Sequence, residues 1–237
     1  MSRGAPGRLR ALILQHEEPT PPGLVTEWLA GHDADVRTLR IDIDERNVAA
    51  TDHDLIVSLG SEFAAFDDTV PFVPREVGLF VTAMEKDVPI LGLCFGGQML
   101  ARVLGSENYR SQVPEIGWLP VRTNDPDLIA EGPWFQWHFD TFTPPPGARV
   151  IAETDIGPQA YVAGRSLGLQ FHPEVTPEIM HDWVREYRHE LDQEGVDPDA
   201  LLAETDRNAE ENRRTALQLL ERYLDEVARL GSAATPR

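Results

Sequence analysis

The sequence predicts an α/β protein: three α/β/α layers around a mostly parallel central sheet, with a β-hairpin extension and extra C-terminal helices. Three observations carry this expectation. Short apolar runs at 8–15, 54–59 and 90–93 alternate with stretches of helical periodicity, as strands joined by covering helices do. The run at 90–93 is apolar without alternating, the mark of a strand buried on both faces. Pieces of β-like composition, punctuated by Pro and Gly, then fill 114–171 before two amphipathic stretches close the chain.

Taken in order, residues 8–15 give a first strand, and the Pro-rich stretch 18–23 a loop. A short helix follows with Leu24, Trp28 and Leu29 inward. Residues 35–41 form a second strand that alternates more and so belongs nearer an edge; 54–59 is a third, ending at Gly60-Ser61. A helix with Val77, Phe80, Val81 and Met84 on one face leads to the strand at 90–93, and 98–104 reads as the next helix. Beyond it, 118–122, 150–152, 160–163 and 167–171 read as strands of hairpins that continue the same domain, since no linker intervenes. Residues 177–191 are helical with Ile179, Met180, Trp183, Tyr187 and Leu191 on one face, 192–198 is a loop, and 206–230 is a long helix striped by Leu217, Leu220, Leu224 and Val227. The domain is expected at 8–191, with 192–230 as a helical extension packed on it, and 1–7 and 231–237 as frayed tails.

The chain has 237 residues, enough for a large core, with 21 Lys plus Arg against 40 Asp plus Glu and a formal charge of −19. A surface of that sign repels phosphate backbones, so nucleic acid is not an expected partner. No run is long and apolar enough for a membrane span, and the first residues lack a secretory apolar stretch. One cysteine cannot form an internal disulfide, which points to a reducing, cytoplasmic setting. His and Cys do not recur at metal-ligand spacing, and no cofactor is expected.

That single cysteine, Cys94, stands where the buried strand stops and a helix begins, with glycines at 92, 96 and 97. A residue pinned there occupies a tight turn with its side chain above the sheet, and flanking glycines relieve crowding around a strained backbone. The helix N-terminus favours the thiolate over the thiol and offers amides to negative charge on a substrate. A lone cysteine is commonly a small buried hydrophobe, but Gly-x-Cys-x-Gly-x-Gln arises by chance in roughly one chain per thousand of this length. A cysteine nucleophile needs a base, and the base an orienting group. Among seven histidines, His172 is delivered to a strand end by 167–171, Pro173 stops that strand, and Glu174 can fold back onto the imidazole. His138 with Asp140 is the alternative pair, and His16-Glu17 also ends a strand.

Gly92-Leu-Cys-Phe-Gly-Gly-Gln98 together with Phe171-His-Pro-Glu174 resembles the class I, triad-type glutamine amidotransferases, over about 8–183, in the manner of the free-standing amidotransferase half of GMP synthetase. The resemblance implies the flavodoxin-like fold of that family and a glutaminase. Cys94 attacks the side-chain amide of glutamine, His172 serves the departing ammonia and the incoming water, and Glu174 holds His172. It further implies oxyanion donors at the amides of Gly60 and Phe95, and substrate contacts from Gln98 and from 135–140, including His138 and Phe139. Phe139 departs from the glycine that many members carry after that histidine. The chain lacks a P-loop and the Ser-Gly-Gly-x-Asp-Ser loop of a pyrophosphatase half, so an ammonia-accepting synthase would be a separate protein. Two other functions stay open. A γ-glutamyl peptidase would use the same triad, and a non-catalytic glutamine-binding or regulatory subunit would use the C-terminal helix. A cysteine hydrolase of the dienelactone type shares the elbow but does not predict His-Pro-Glu.

Overall fold

The computed structural model describes residues 8–46 and 48–231, so the expected tail at 1–7, and all of the expected tail at 231–237 but Gly231, lie outside the described residues. Its strands are β1 (Arg10–Gln15), β2 (Asp35–Arg40), β3 (Leu55–Ser58), β4 (Ile90–Leu93), β5 (Asn108–Leu119), β6 (Arg122–Thr123), β7 (Trp134–Phe142), β8 (Arg149–Glu153), β9 (Pro158–Ala163) and β10 (Ser166–Leu169). Its α-helices are α1 (Leu24–Gly31), α2 (Phe72–Glu85), α3 (Phe95–Val103), α4 (Pro177–Glu186), α5 (Arg188–Glu194) and α6 (Pro198–Arg222).

Eight strands make one sheet in the order β2-β1-β3-β4-β10-β9-β8-β6, and β5 with β7 forms a separate antiparallel pair. The β2-β1-β3-β4-β10 half is parallel, as expected of strands joined by helices, and β2 is at its edge. Strand alternation then sorts the core. Ala11 and Ile13 face a cluster that includes Trp28 of α1 and Leu219, Leu220 and Tyr223 from the chain's end. Leu12 and Leu14 face Phe80 of α2 and Phe95 and Met99 of α3. Both faces are therefore covered, giving the expected three layers.

Several element readings are corrected. In α2 the buried face is Phe72, Val73, Glu76, Phe80 and Ala83, whereas Val81 is exposed. A carboxylate holds an inward position there, so an apolar stripe alone gives the wrong helix rotation. Helix α3 starts at Phe95 and not at 98, because two glycines look like a loop in sequence but are in the helix to let it approach the sheet. A Cβ on Gly96 would lie 2.3 Å from the Ser58 carbonyl oxygen, and one on Gly97 2.3 Å from that of Leu169. The glycines thus serve close packing, and the positive φ in this turn belongs to Cys94 itself, at 49°.

The hairpin region also differs: β5 is a 12-residue strand, β7 covers the segment 135–140 expected only to line a pocket, and β10 stops at Leu169. The stretch 177–191 is two helices broken at Tyr187. Helix α6 begins at Pro198 and not 206, since Asp197 accepts from the amides of Asp199 and Ala200 as an N-cap, with proline at the first helical position. After Arg222 the chain makes a π-helical turn, Tyr223–Val227. Helix α6 packs on α1, α4 and β5, and shares their core clusters through Leu201, Ala216, Leu219 and Leu220.

Candidate active site

Adjacent parallel strands bring the two halves of the site together. Leu93 of β4 pairs with Leu169 of β10, and the amide of Cys94 donates to the Leu169 carbonyl at 2.9 Å. Each strand then ends at the same carboxyl edge, where open α/β sheets gather their ligands. Cys94 becomes the N-cap of α3, while Gln170-Phe171-His172 continues beside it. The amide of His172 donates to the Phe135 carbonyl of β7 at 2.8 Å, which fixes its height above the sheet. Cys94 and His172 line one cleft. The sulfur is not exposed at the turn, as the sequence suggested; Cys94 is 6% exposed, because β7 roofs it, with the Trp137 carbonyl 4.0 Å from Sγ.

His172 Nδ1 lies 2.7 Å from Glu174 Oε1, and the edge of Trp183 packs on the imidazole with centroids 4.9 Å apart. Burial pulls this imidazole toward the neutral form, yet the Glu174 carboxylate and then the Cys94 charge outweigh it, and His172 is pushed up to about 10. The ring is thereby held as an imidazolium beside the sulfur. The turn carrying Glu174 is anchored from outside: its carbonyl accepts from the Leu24 amide at 3.0 Å, and Asn212 of α6 donates to the Val175 carbonyl at 3.0 Å. Gly23, with φ of 47°, brings α1 this close; a Cβ there would sit 2.0 Å from the Glu174 carbonyl oxygen.

Gly60 lies against the other side of the imidazole, where a Cβ would come 3.0 Å from His172 Cε1. Phe95 is the first residue of α3, so its amide has no partner within the helix. Beneath Gly60 lies a second histidine–glutamate pair. His16, at the end of β1, sets Nδ1 3.0 Å from the Gly60 carbonyl and Nε2 2.8 Å from Glu76 Oε2, and Ser58 donates to Glu76 Oε1 at 2.6 Å. Both ring nitrogens face acceptors. Burial works against charge on His16, but Glu76 outweighs it and raises the imidazole, favouring its charged form. His16 does not border the cleft, contrary to its place at a strand end, and Glu17 instead accepts from Ser61 at 2.6 Å.

His138 lines the cleft with Cys94 but makes no hydrogen bond to its sulfur. Its Nδ1 is 3.1 Å from the Asp140 carbonyl, and its Nε2, though 3.1 Å from Glu115 Oε2, makes no hydrogen bond among the described residues. Phe139 lies at the cleft with the Arg110 guanidinium 4.3 Å over its ring. Arg110 also lies 3.6 Å from the Asp140 carboxylate, which burial raises against that pull. Gln98 is buried and not on the helix surface; its Nε2 donates to the Asp140 carbonyl at 3.1 Å and to Gln170 Oε1 at 3.2 Å. Sequence reasoning missed His16 with Glu76, Gln170 and Asn212. For Gln170 the signal was present: it precedes His172 by two residues, the period that puts both on one side of an extended chain. Among the described residues no group of His, Cys, Asp or Glu is arranged to hold a metal, and no helix is long and apolar enough to cross a membrane.

The comparisons with known proteins bear on this geometry. The profile of the family Glutamine amidotransferase class-I matches residues 27–186. The chain belongs to the class I glutamine amidotransferases. Solved members have the same fold throughout: a glutamine amidotransferase from Thermotoga maritima is 31% identical with a TM-score of 0.84, covering 93% of this chain and 100% of that one. A glutamine amido transferase from Methylobacillus flagellatus is 27% identical with a TM-score of 0.85, covering 98% and 100%. By sequence, the glutamine-hydrolyzing GMP synthase from Aeropyrum pernix is 38% identical over 115 residues, 43% of this chain but 22% of that protein. One subunit of the glutamine-hydrolyzing GMP synthase from Sulfurisphaera tokodaii is 35% identical over 101 residues, 39% of this chain and 54% of that one. The chain thus matches about a fifth to a half of the length of these relatives. It is an amidotransferase-family enzyme with the family's flavodoxin-like fold, as the two sequence motifs led us to expect.

Proposed function

We propose that this amidotransferase hydrolyses the side-chain amide of L-glutamine through a glutamyl thioester on Cys94, and that the ammonia passes to a separate acceptor enzyme. The observation that carries the reading is the placement of Cys94 and His172 at the ends of neighbouring parallel strands, in one cleft, with Glu174 behind the imidazole. The sulfur attacks the amide carbon. The oxygen gathers negative charge between the amides of Gly60 and Phe95, and loss of one such donor typically costs about a hundredfold or more. His172 gives its proton to the nitrogen as the C–N bond breaks and ammonia leaves. It then takes a proton from water, which cleaves the thioester to glutamate and returns the sulfur. Glu174 holds the imidazole through both transfers. Gln98, His138 and Phe139 border the bound glutamine, His138 by shaping the wall and not by proton transfer. The GMP synthase relatives suggest the type of acceptor, a synthase that consumes ammonia, and the single thiol suits a cytoplasmic setting.

A second reading keeps the triad and lengthens the substrate to a γ-glutamyl peptide. The cleft favours it in that Phe139, Arg110, Tyr187 and Glu190 line it together with Cys94, a wider lining than the triad alone. Turnover of glutamine against a panel of γ-glutamyl dipeptides by the purified protein separates the two: ammonia from glutamine alone selects the first, amine release from the dipeptides alone the second. Cys94→Ala is expected to abolish either activity with the fold intact, and surviving turnover would place the nucleophile elsewhere. Failure of a glutamine-mimicking electrophile to label Cys94, even with candidate acceptors present, would favour a non-catalytic role.

A further inference from the structure

We propose that Gln170 is a catalytic hydrogen-bond donor to the Cys94 sulfur, and that Gln98 is the positioning residue that turns the Gln170 amide nitrogen toward it. The proposal rests on Cys94 being the nucleophile. Gln170 is fully buried at the exit of β10, and its Nε2 lies 3.6 Å from Cys94 Sγ, an ordinary N–H···S separation.

A carboxamide can present either end, so its direction has to be established from a group that cannot turn. The Asp140 carbonyl is such a group, since it only accepts. Gln98 must therefore show it nitrogen, at 3.1 Å. The second hydrogen of that same nitrogen goes to Gln170 at 3.2 Å, which must then offer its oxygen. The nitrogen of Gln170 is left facing sulfur. One backbone carbonyl on β7 thus fixes the polarity of two side chains in series and ends on a donor at the reacting atom.

A hydrogen bond of this kind favours a thiolate more than a thiol. It raises the fraction of enzyme ready to attack, and it weakens as the charge moves from sulfur to the substrate oxygen. It also narrows what Gln98 can do for a substrate. Both hydrogens of Gln98 Nε2 are committed, so only its oxygen remains to accept from a bound amide. The titratable groups around the same cleft are the His172–Glu174 pair, His138, Asp140, Arg110, Glu62, Tyr187 and Glu190. None is altered by changing either glutamine.

Cys94 is the only thiol in the chain, so its alkylation by iodoacetamide can be followed by intact mass over about pH 5 to 9 without any substrate. Gln170→Leu is expected to move the alkylation profile upward by about one pH unit, equivalent to about 1.4 kcal/mol. Gln98→Leu, which does not touch sulfur, should move it the same way by less. Gln170→Met keeps about the size of the side chain without a donor and should shift the profile as the leucine variant does; it carries the test should the leucine variant not fold. A parental profile in folded Gln170 variants overturns the donor. A parental profile in Gln98→Leu alongside shifted Gln170 variants overturns the positioning role. Because no glutamine is present, absence of glutamine turnover would count against the proposed function and leave this result standing.

Discussion

The His172–Glu174 pair at the cleft and the His16–Glu76 pair beneath Gly60 differ in a way that separates chemistry from architecture. His172 and Glu174 are two residues apart, border the cleft and share it with a sulfur. His16 and Glu76 are 60 residues apart, are sealed from solvent, and spend the second imidazole nitrogen on the Gly60 carbonyl. The first pair keeps one ring nitrogen for a reacting partner. The second has none to spare, so it can only hold. A buried charge pair of this kind is costly to assemble and more costly to halve, which suits a strut under a loop that must not move.

The comparison is broken most directly at the cleft. His172→Ala should remove essentially all turnover, a loss of about ten-thousandfold or more, and should also lower the unfolding midpoint by leaving Glu174 buried without its partner. If turnover survived within about tenfold, this pair would be structural like the other. Glu174→Gln should cost less, about a hundredfold, and should pull the alkaline limb of the kcat/KM profile to lower pH, since the carboxylate is the larger upward influence on His172. A loss equal to that of His172→Ala would make Glu174 a chemical participant.

The sealed pair should behave in the opposite sense. Glu76→Ala leaves the His16 charge without a partner and should destabilise the fold by about 3–5 kcal/mol in denaturant titration. Its activity loss, about tenfold through a displaced Gly60, should be the smaller effect. An unchanged midpoint would mean that the pair is not ionised. The gentlest distinction is by pH. His172 is held near 10 in the folded chain, above its unfolded value of about 6.5. Its contribution to stability is therefore complete below about pH 6.5 and is lost as pH rises toward 10. Unfolding free energies at rising pH should decline over that window, and His172→Gln should flatten part of the decline, leaving what the raised His16 contributes. An identical slope in the variant would show that His172 is not held protonated.

The same contrast explains what can be read from the chain alone. Cys94, His172 and Glu174 are legible because each motif is local: a non-alternating strand, a turn, and a base two residues from its carboxylate. The sealed pair is not, because Glu76 is on a helix whose apolar stripe suggests a different inward face, and nothing near His16 in sequence names its partner. The parallel sheet follows from strand and helix alternation, and the edge position of β2 from its weaker burial signal. The start of α6 is misplaced by its stripe although Asp197-Pro198 marks it, since the apolar pattern becomes regular only further along. Gln170 shows a different failure. It stands inside an expected strand and looks like filler there, because its partner is a side chain from another element.

Helix α6 begins twelve residues after the family profile ends, yet Asn212 reaches back to the carbonyls that flank Glu174. The recognisable amidotransferase segment is therefore braced from outside its own span. Trimming the chain at residue 186 would keep every reacting group but strip away the brace together with Leu219, Leu220 and Tyr223 of the core, so a minimal fragment should retain its motifs and lose both stability and speed.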